Sequence, residues 1–249
     1  MARVRAVLFD IDGTLLDSND AHAHAWLDAL RGHGKNVPFD LVRSKIGMGG
    51  DKLLREVAGL EDDSVEGRLI TERRIAILKA HYLPDIGPLP GARALVDRLR
   101  SRGVICAAVT SAKASDVADL LRVAAVADLM DPVITSDDAD RSKPDPDLVE
   151  IAVEKLGIPA NECVMVGDTP YDVEAATRAN VAVVGFRSGG WKDSDLRGAV
   201  AIYDGPADLA SKLEDSVFAR GLDDSDRDSV RSFTGRRPGL RRPTSMGGL

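Results

Sequence analysis

Four aspartates in two short passages hold most of the chemistry that this sequence could do. Phe9-Asp10-Ile11-Asp12-Gly13-Thr14 sets two carboxylates two positions apart, and Gly167-Asp168-Thr169-Pro170-Tyr171-Asp172 supplies two more. Each passage follows an apolar run of strand character. Alternation along a strand points Asp10 and Asp12 to opposite faces, so both reach one site only where the chain curls at the strand end, a departure that Gly13 permits. In an open α/β sheet, ligands bind at those strand ends. Four converging acids repel one another without cations, so the set calls for a hard divalent ion held by oxygen ligands, and magnesium meets that requirement. Taken singly the residues have plainer uses: an acidic pair at a strand end caps the next helix, and Asp172 suits a helix N-terminus stabilised by the dipole.

Donors complete the set. Thr110 and Ser111 end the run Val104 to Val109, and Lys143 stands in Ser142-Lys143-Pro144-Asp145-Pro146-Asp147, just ahead of a helix. Hydroxyls, backbone amides and an ammonium beside a metal are what a transferring phosphoryl group needs, because its charge is spread over the non-bridging oxygens. Alone, Thr110 reads as a helix N-cap and Lys143 as a solvated surface charge. The ordered set is what points to phosphoryl chemistry.

The elements that must position these groups are legible as alternating patterns. Ala6 to Phe9, Val104 to Val109, Val133 to Thr135, Cys163 to Val166 and Val181 to Phe186 are continuous apolar runs, the mark of strands buried on both faces. Between them lie amphipathic stretches, one opened by Pro90 and closed by Gly103, another opened by Pro146 and closed by Gly157. Strand and helix alternate from about residue 88 to 213, which predicts right-handed crossovers and a parallel sheet. The stretch from about Ser18 to Asp85 breaks the alternation. It predicts helices alone, at Asp20 to Gly32, Asp40 to Lys45, Asp51 to Ala58 and Ser64 to Tyr82, followed by the hinge-like Gly87-Pro88-Leu89-Pro90-Gly91. From about Ser216 the chain is rich in Arg, Ser, Asp, Gly and Pro, and a disordered tail over 216–249 is expected.

Composition narrows the partners. A net charge of -7 argues against nucleic acid or an anionic membrane as the main partner, since both are approached through excess positive charge. Cys106 and Cys163 both fall in buried-strand runs, which excludes a disulfide framework and suits a reducing cytoplasm. The apolar run near the start meets Asp10 and Asp12 too soon for a signal peptide, and no segment approaches the ~20 apolar residues of a membrane span. A cytoplasmic monomer or small homo-oligomer acting on a small phosphorylated metabolite is expected.

Asp10-Ile11-Asp12-Gly13-Thr14, Thr110, Lys143-Pro144 and Gly167-Asp168 with Asp172 stand in the order found in the haloacid dehalogenase superfamily of phosphohydrolases. The resemblance, to its phosphoglycolate phosphatase and β-phosphoglucomutase-like branch, covers the chain from about residue 4 to 190. Asp17-Ser18, His22 and Trp26 extend the similarity to members with a helical cap. The resemblance implies a Rossmann-like parallel sheet with helices on both faces over 1–17 and 86–215, and an inserted all-helical cap over 18–85. It implies magnesium-dependent hydrolysis of a small phosphate monoester, with Asp10 attacking phosphorus to form an aspartyl phosphate. Asp12 would protonate the departing alcohol and then deprotonate water, its backbone carbonyl touching the metal. Asp10 and Asp168 would bind magnesium directly and Asp172 either directly or through its neighbours, while Thr110, Ser111 and Lys143 hold the phosphoryl oxygens.

Specificity should be read in the cap. The glycine-rich loop Gly47-Met48-Gly49-Gly50-Asp51-Lys52 makes Lys52 a candidate for a second anionic group of the substrate, although a lysine at a helix start is as often merely solvated. Arg73 and Arg74 are similar candidates whose plainer reading is a solvated helix face. His22 and Trp26 are expected to pack the cap. A dehalogenase is disfavoured by Asp12, because carbon–halogen cleavage needs no acid for an alkoxide leaving group. A sugar-phosphate mutase shares the whole core set, but Gly50 falls where the mutase pattern carries a phosphate-gripping arginine. A different class, a non-catalytic binding protein, would use Arg236, Arg237, Arg241 and Arg242 of the tail.

Overall fold

Alternate residues of the first strand face two different apolar layers, and the architecture follows from that. Val7 and Phe9 pack into one cluster with Cys106, Ala108, Val164 and Val166, while Ala6 and Leu8 pack into a second with Ala107, Val109, Cys163 and Met165. A strand buried on both sides has to lie inside a sheet covered twice. In the computed structural model, which describes residues 3–219, that sheet has six parallel strands. They are β1 (Ala6–Phe9), β2 (Ile105–Val109), β3 (Val133–Ile134), β4 (Cys163–Gly167), β5 (Ala182–Phe186) and β6 (Ala201–Tyr203), in the spatial order β3-β2-β1-β4-β5-β6. The short edge strand β6 is one that the apolar runs did not mark.

The helices are α1 (Asn19–Arg31), α2 (Phe39–Arg43), α3 (Gly50–Ala58), α4 (Val65–Ile77), α5 (Ala92–Ser101), α6 (Ala114–Val123), α7 (Asp147–Leu156), α8 (Pro170–Arg178) and α9 (Pro206–Ser211). Leu95, Val96 and Leu99 of α5 and Leu120 of α6 join the first layer; Leu148 and Ala152 of α7 and Ala175 of α8 join the second. The α/β fold with helices on both faces is therefore as expected. Cys106 and Cys163 are free and buried, one in each layer, and burial pushes their thiols up to about 12 and about 11.

Between β1 and α5 the chain leaves the sheet for α1 to α4, which enclose their own apolar cluster of Trp26, Leu30, Val42, Ile46, Leu53, Leu54 and Ile70. The long helix expected from Ser64 to Tyr82 is α4 followed by a π-helical turn, Leu78–Tyr82. Two backbone bonds, Asp17 N to Gly87 O at 3.0 Å and Leu89 N to Leu15 O at 2.9 Å, tie the outgoing and returning chains together at the base of the insert. At the other end, the folded body runs past residue 215: Phe218 is 1% exposed and packs in the first layer. The expected tail therefore begins too early, because one aromatic anchor in a polar stretch suffices to dock it. Its remainder, with Arg236, Arg237, Arg241 and Arg242, lies outside the described residues.

Candidate active site

Parallel pairing sets the strand ends level. Phe9 pairs with Ala108 of β2 and with Val166 of β4, so the residues that follow β1, β2 and β4 emerge at one edge. Asp10 follows β1, Thr110 follows β2 and Asp168 follows β4. Beyond Asp10 the chain turns sharply at Gly13, whose φ of +76° and the 2.1 Å separation that a Cβ would have from Asp168 Oδ2 leave room for glycine alone. Thr14, returned by that turn, donates to Asp168 Oδ1 at 2.9 Å, and Asn19 Nδ2 donates to Asp168 Oδ2 at 2.8 Å.

Asp10, Asp168 and Asp172 are all buried, with ligand oxygens within 4.8 Å of one another. Lys143, 1% exposed, reaches in from the loop before α7 and donates to Asp10 Oδ1 at 2.6 Å and Asp172 Oδ1 at 2.7 Å. Asp172 is also the helix-capping acid of its plainer reading: its Oδ2 accepts from the Thr169 amide at 3.1 Å and hydroxyl at 2.7 Å at the start of α8. It caps the helix while also standing in the carboxylate cluster. The lysine is no solvated surface charge; although burial opposes its charged form, Asp10 and Asp172 raise its pKa and keep it an ammonium.

One ammonium does not neutralise three carboxylates. Burial, with repulsion from Asp172, Asp168 and Asp12 outlasting the pull of Lys143, holds the Asp10 carboxyl well above the usual range. Burial and Asp172 likewise push Asp168 up to about 7 against its hydrogen bonds from Asn19 and Thr14. The donor set is oxygen-only, tightly converged and short of cations, and it fits a divalent metal ion.

Asp12 is turned elsewhere. Its Oδ1 accepts from Ser18 Oγ at 2.6 Å and meets His22 Nε2 at 2.8 Å, so its side chain is not part of the carboxylate cluster. Burial alone would raise its pKa, but the charge and hydrogen bond of His22, the Ser18 hydroxyl and Arg74 bring it down to about 2. The reading of His22 as cap packing is therefore corrected: it is a partner of Asp12, ten residues apart in sequence and placed by the first turn of α1.

A cavity of about 60 Å³ opens above these groups, between the strand ends and the helical insert. Asp10, Asp12, Thr110, Ser111 and Lys143 line its floor; Trp26, Met48, Gly50, Leu53 and Arg74 line the side supplied by the insert. Thr110 is 1% exposed and its hydroxyl accepts from the Ala112 amide at 3.1 Å in a local turn, the helix N-cap expected of it falling instead on Lys113, while the Ser111 hydroxyl is buried without a partner. Lys52 departs from expectation. Its ammonium donates to Ser142 O and Asp145 Oδ2, both at 2.5 Å, and it does not line the cavity. The nearby carboxylate of the 142–147 loop captured it, a pairing across 93 positions that the helix-start context of Lys52 did not reveal.

The family follows from this arrangement and from comparison with known proteins. A family model described as haloacid dehalogenase-like hydrolase matches residues 7–186, and the chain belongs to that family. It is 32% identical over 223 residues to a phosphoglycolate phosphatase of Rhodospirillum rubrum, covering 84% of this chain and 90% of that protein. It is 30% identical over 187 residues to a validoxylamine A 7'-phosphate phosphatase of Streptomyces hygroscopicus subsp. limoneus, covering 73% and 85%. The crystal structure of a hydrolase from Pseudomonas syringae superposes with a TM-score of 0.78 at 29% identity, covering 85% of this chain and 98% of the other. The protein is a phosphatase of this family. Among the described residues, no helix is long and apolar enough to cross a membrane.

Proposed function

We propose that the protein hydrolyses a small, phosphoglycolate-like phosphate monoester with magnesium, through an aspartyl phosphate on Asp10. The observation that carries the proposal is the position of Asp10: buried at a strand end, bonded at 2.6 Å to Lys143, crowded by Asp168 and Asp172, and open to the cavity.

Asp10, Asp168 and Asp172 would hold the ion, with the Asp12 carbonyl beside them. When bound, magnesium supplies charge that keeps Asp10 ionised and offsets the negative charge of the phosphoryl oxygens. Lys143 and the Thr110 and Ser111 groups orient those oxygens, and the unpartnered Ser111 hydroxyl is free to donate. An Asp10 oxygen then attacks phosphorus as the ester P–O bond breaks. The departing alkoxide takes a proton from Asp12, and in the second step Asp12 takes a proton from the water that attacks the aspartyl phosphate. His22 and Ser18 hold Asp12 as a carboxylate. Its first proton comes from solvent water once the negative charge of the ester has raised its affinity for one, and the second step restores that proton for the next cycle.

The test is a screen of phosphorylated metabolites with magnesium, measuring released phosphate and ranking by kcat/KM. Short monoesters should lead, and a chelator should abolish turnover. β-Glucose 1-phosphate with a trace of the bisphosphate distinguishes the mutase reading: free phosphate with little glucose 6-phosphate is expected, and rapid glucose 6-phosphate formation without phosphate release overturns hydrolysis.

A further inference from the structure

The cavity is lined by Arg74, Lys79, Lys143 and His22 among its basic side chains, and three of them already have an acidic partner. Lys143 holds Asp10 and Asp172, His22 meets Asp12 at 2.8 Å, and Lys79 pairs with Asp116 at 2.7 Å. Arg74 has none. No hydrogen bond or ion pair of the described residues engages its guanidinium, and its Nε is sealed from solvent without a partner. Burial pulls its pKa down and the more distant Asp12 and Asp116 only partly offset that. A guanidinium keeps its charge even so, and a half-buried charge whose Nε is sealed and unpaired is costly unless something comes to pair it.

The side chain is also fixed in place. Its guanidinium carbon stands 4.9 Å over the Trp26 ring, which steadies a cation and limits where the planar fork can point. Trp26 itself is 1% exposed in the core of the insert, and a side chain at Gly50 would come within 3.2 Å of it, so the loop leaves this wall to the arginine. The neighbouring Arg73 is exposed, on the outer side of α4.

From these observations we infer that Arg74 is the specificity-determining residue of the site, reading a carboxylate at the end of the substrate opposite its phosphate. This rests on the phosphatase reading above and deepens it. The floor of the cavity carries Asp10, Ser111 and Lys143 and the side supplied by the insert carries Arg74, so a phosphoryl group on a carbon fragment of very few atoms can touch both. On so short a molecule the second anion must meet the facing wall, where Arg74 stands. A carboxylate pairs with a guanidinium through two parallel hydrogen bonds, and a neutral hydroxyl of the same length cannot.

The experiment compares kcat/KM for phosphoglycolate and for 2-hydroxyethyl phosphate, which replaces the carboxylate by a hydroxymethyl group. Wild-type enzyme should prefer phosphoglycolate by about 30-fold or more, within the range of a charge-assisted hydrogen-bonded pair. Arg74→Met should bring that ratio close to one, Arg74→Lys should retain part of it, and Arg73→Gln should leave it within about twofold. Titration calorimetry of both esters against the magnesium-loaded Asp10→Asn protein, with and without Arg74→Met, reads the same preference without turnover. No preference in the wild type, or an equal loss for both esters on Arg74→Met, overturns the assignment. Charge-selective binding that depends on Arg74 but no hydrolysis by the wild type keeps the subsite and removes the phosphatase reading. Hydrolysis without charge selection does the reverse. If the methionine variant does not fold, Arg74→Lys, assayed for turnover and titrated in the Asp10→Asn background, decides by whether the preference falls.

Discussion

The strand ends and the helical insert face one cavity, yet their polar groups obey opposite rules. At the strand ends each charged group is held several times over: Asp168 by Thr14 and Asn19, Asp172 by Thr169 and Lys143, Lys143 by two carboxylates. On the insert, Arg74 projects into the same space with an aromatic ring beneath it and no anion beside it. Groups that perform a common chemical step are pre-organised by one another, whereas a group that recognises a variable part of the substrate is left for the substrate to satisfy. The predictions below test that division.

Asp10→Asn should have the largest effect. An amide is nearly isosteric but a poor nucleophile, so kcat should fall by about 10⁴-fold or more. The fold should survive, since Lys143 keeps Asp172 and the layers on either side of β1 are untouched. Steady-state rates with thermal melting check both halves, and trapping with a metal fluoride or labelling from substrate should place the phosphoryl group on Asp10 in the wild type. Label on another residue refutes the assignment.

Metal removal comes next, and its pH dependence has a definite sign. A carboxyl raised to about 7 in the folded protein, as at Asp168, binds its proton more tightly than the same group does unfolded. The stability this contributes is fully present below the unfolded value of 3.8 and is lost as pH rises toward 7. Metal-free protein should therefore melt at a lower temperature at pH 7.5 than at pH 5.5, the direction in which Asp10 also works. Magnesium must displace those protons, so it should bind more tightly, and raise Tm more, at the higher pH. Calorimetric melting at the two pH values, with magnesium or chelator, measures the difference; a magnesium-induced rise that is larger at pH 5.5 contradicts it.

His22→Ala tests the hinge between the two regions, because His22 belongs to α1 yet holds Asp12. We expect kcat to drop by about 10- to 100-fold with a smaller change in KM, the pattern of a group that positions an acid and base. His22→Gln, which can still hydrogen-bond Asp12, should recover part of the loss. A rise in KM alone would make His22 a binding residue.

How much of this the sequence discloses follows the same division. Asp10, Asp12, Thr110, Lys143, Asp168 and Asp172 each stand at the end of an apolar strand or the start of a helix, so local pattern places them, and parallel pairing brings together what the pattern keeps apart. β6 goes unmarked although Ala199 to Tyr203 is itself a short apolar run, and its three residues are only half-buried at the edge of the sheet. The insert is harder to read. Arg73 and Arg74 are adjacent on α4, and which of them faces inward depends on how that helix lies against α1 and Trp26, a tertiary matter with no sequence signal beyond the Trp. Lys52 and Asp145 are likewise 93 positions apart, and only the folded chain pairs them.

Lys52 supplies the smallest effect and the sharpest contrast, since it is the insert cation that the glycine-rich loop first recommends as a substrate ligand. Its ammonium is instead engaged by Asp145 and the Ser142 carbonyl, and the pair is partly exposed, at 24% and 18% of its side chains. Partly exposed pairs of this kind contribute roughly 0–1 kcal/mol. Asp145 would keep Arg178 at 2.9 Å if the lysine were removed, so no bare buried charge would result. The insert would also keep other attachments to the core: Ser142 Oγ to Asp51 at 2.6 Å, Tyr171 hydroxyl to Ser44 O at 2.6 Å and Arg43 to Gly189 O at 2.7 Å. Lys52→Met should therefore change kcat/KM for phosphoglycolate by less than about fivefold, the equivalent of under about 1 kcal/mol, and should leave its ratio to 2-hydroxyethyl phosphate unmoved. Raising the salt concentration should weaken the pair in the wild type and shrink even that difference. A collapse of the ratio in Lys52→Met with little change in Arg74→Met would transfer the reading of substrate charge from the helix to the loop.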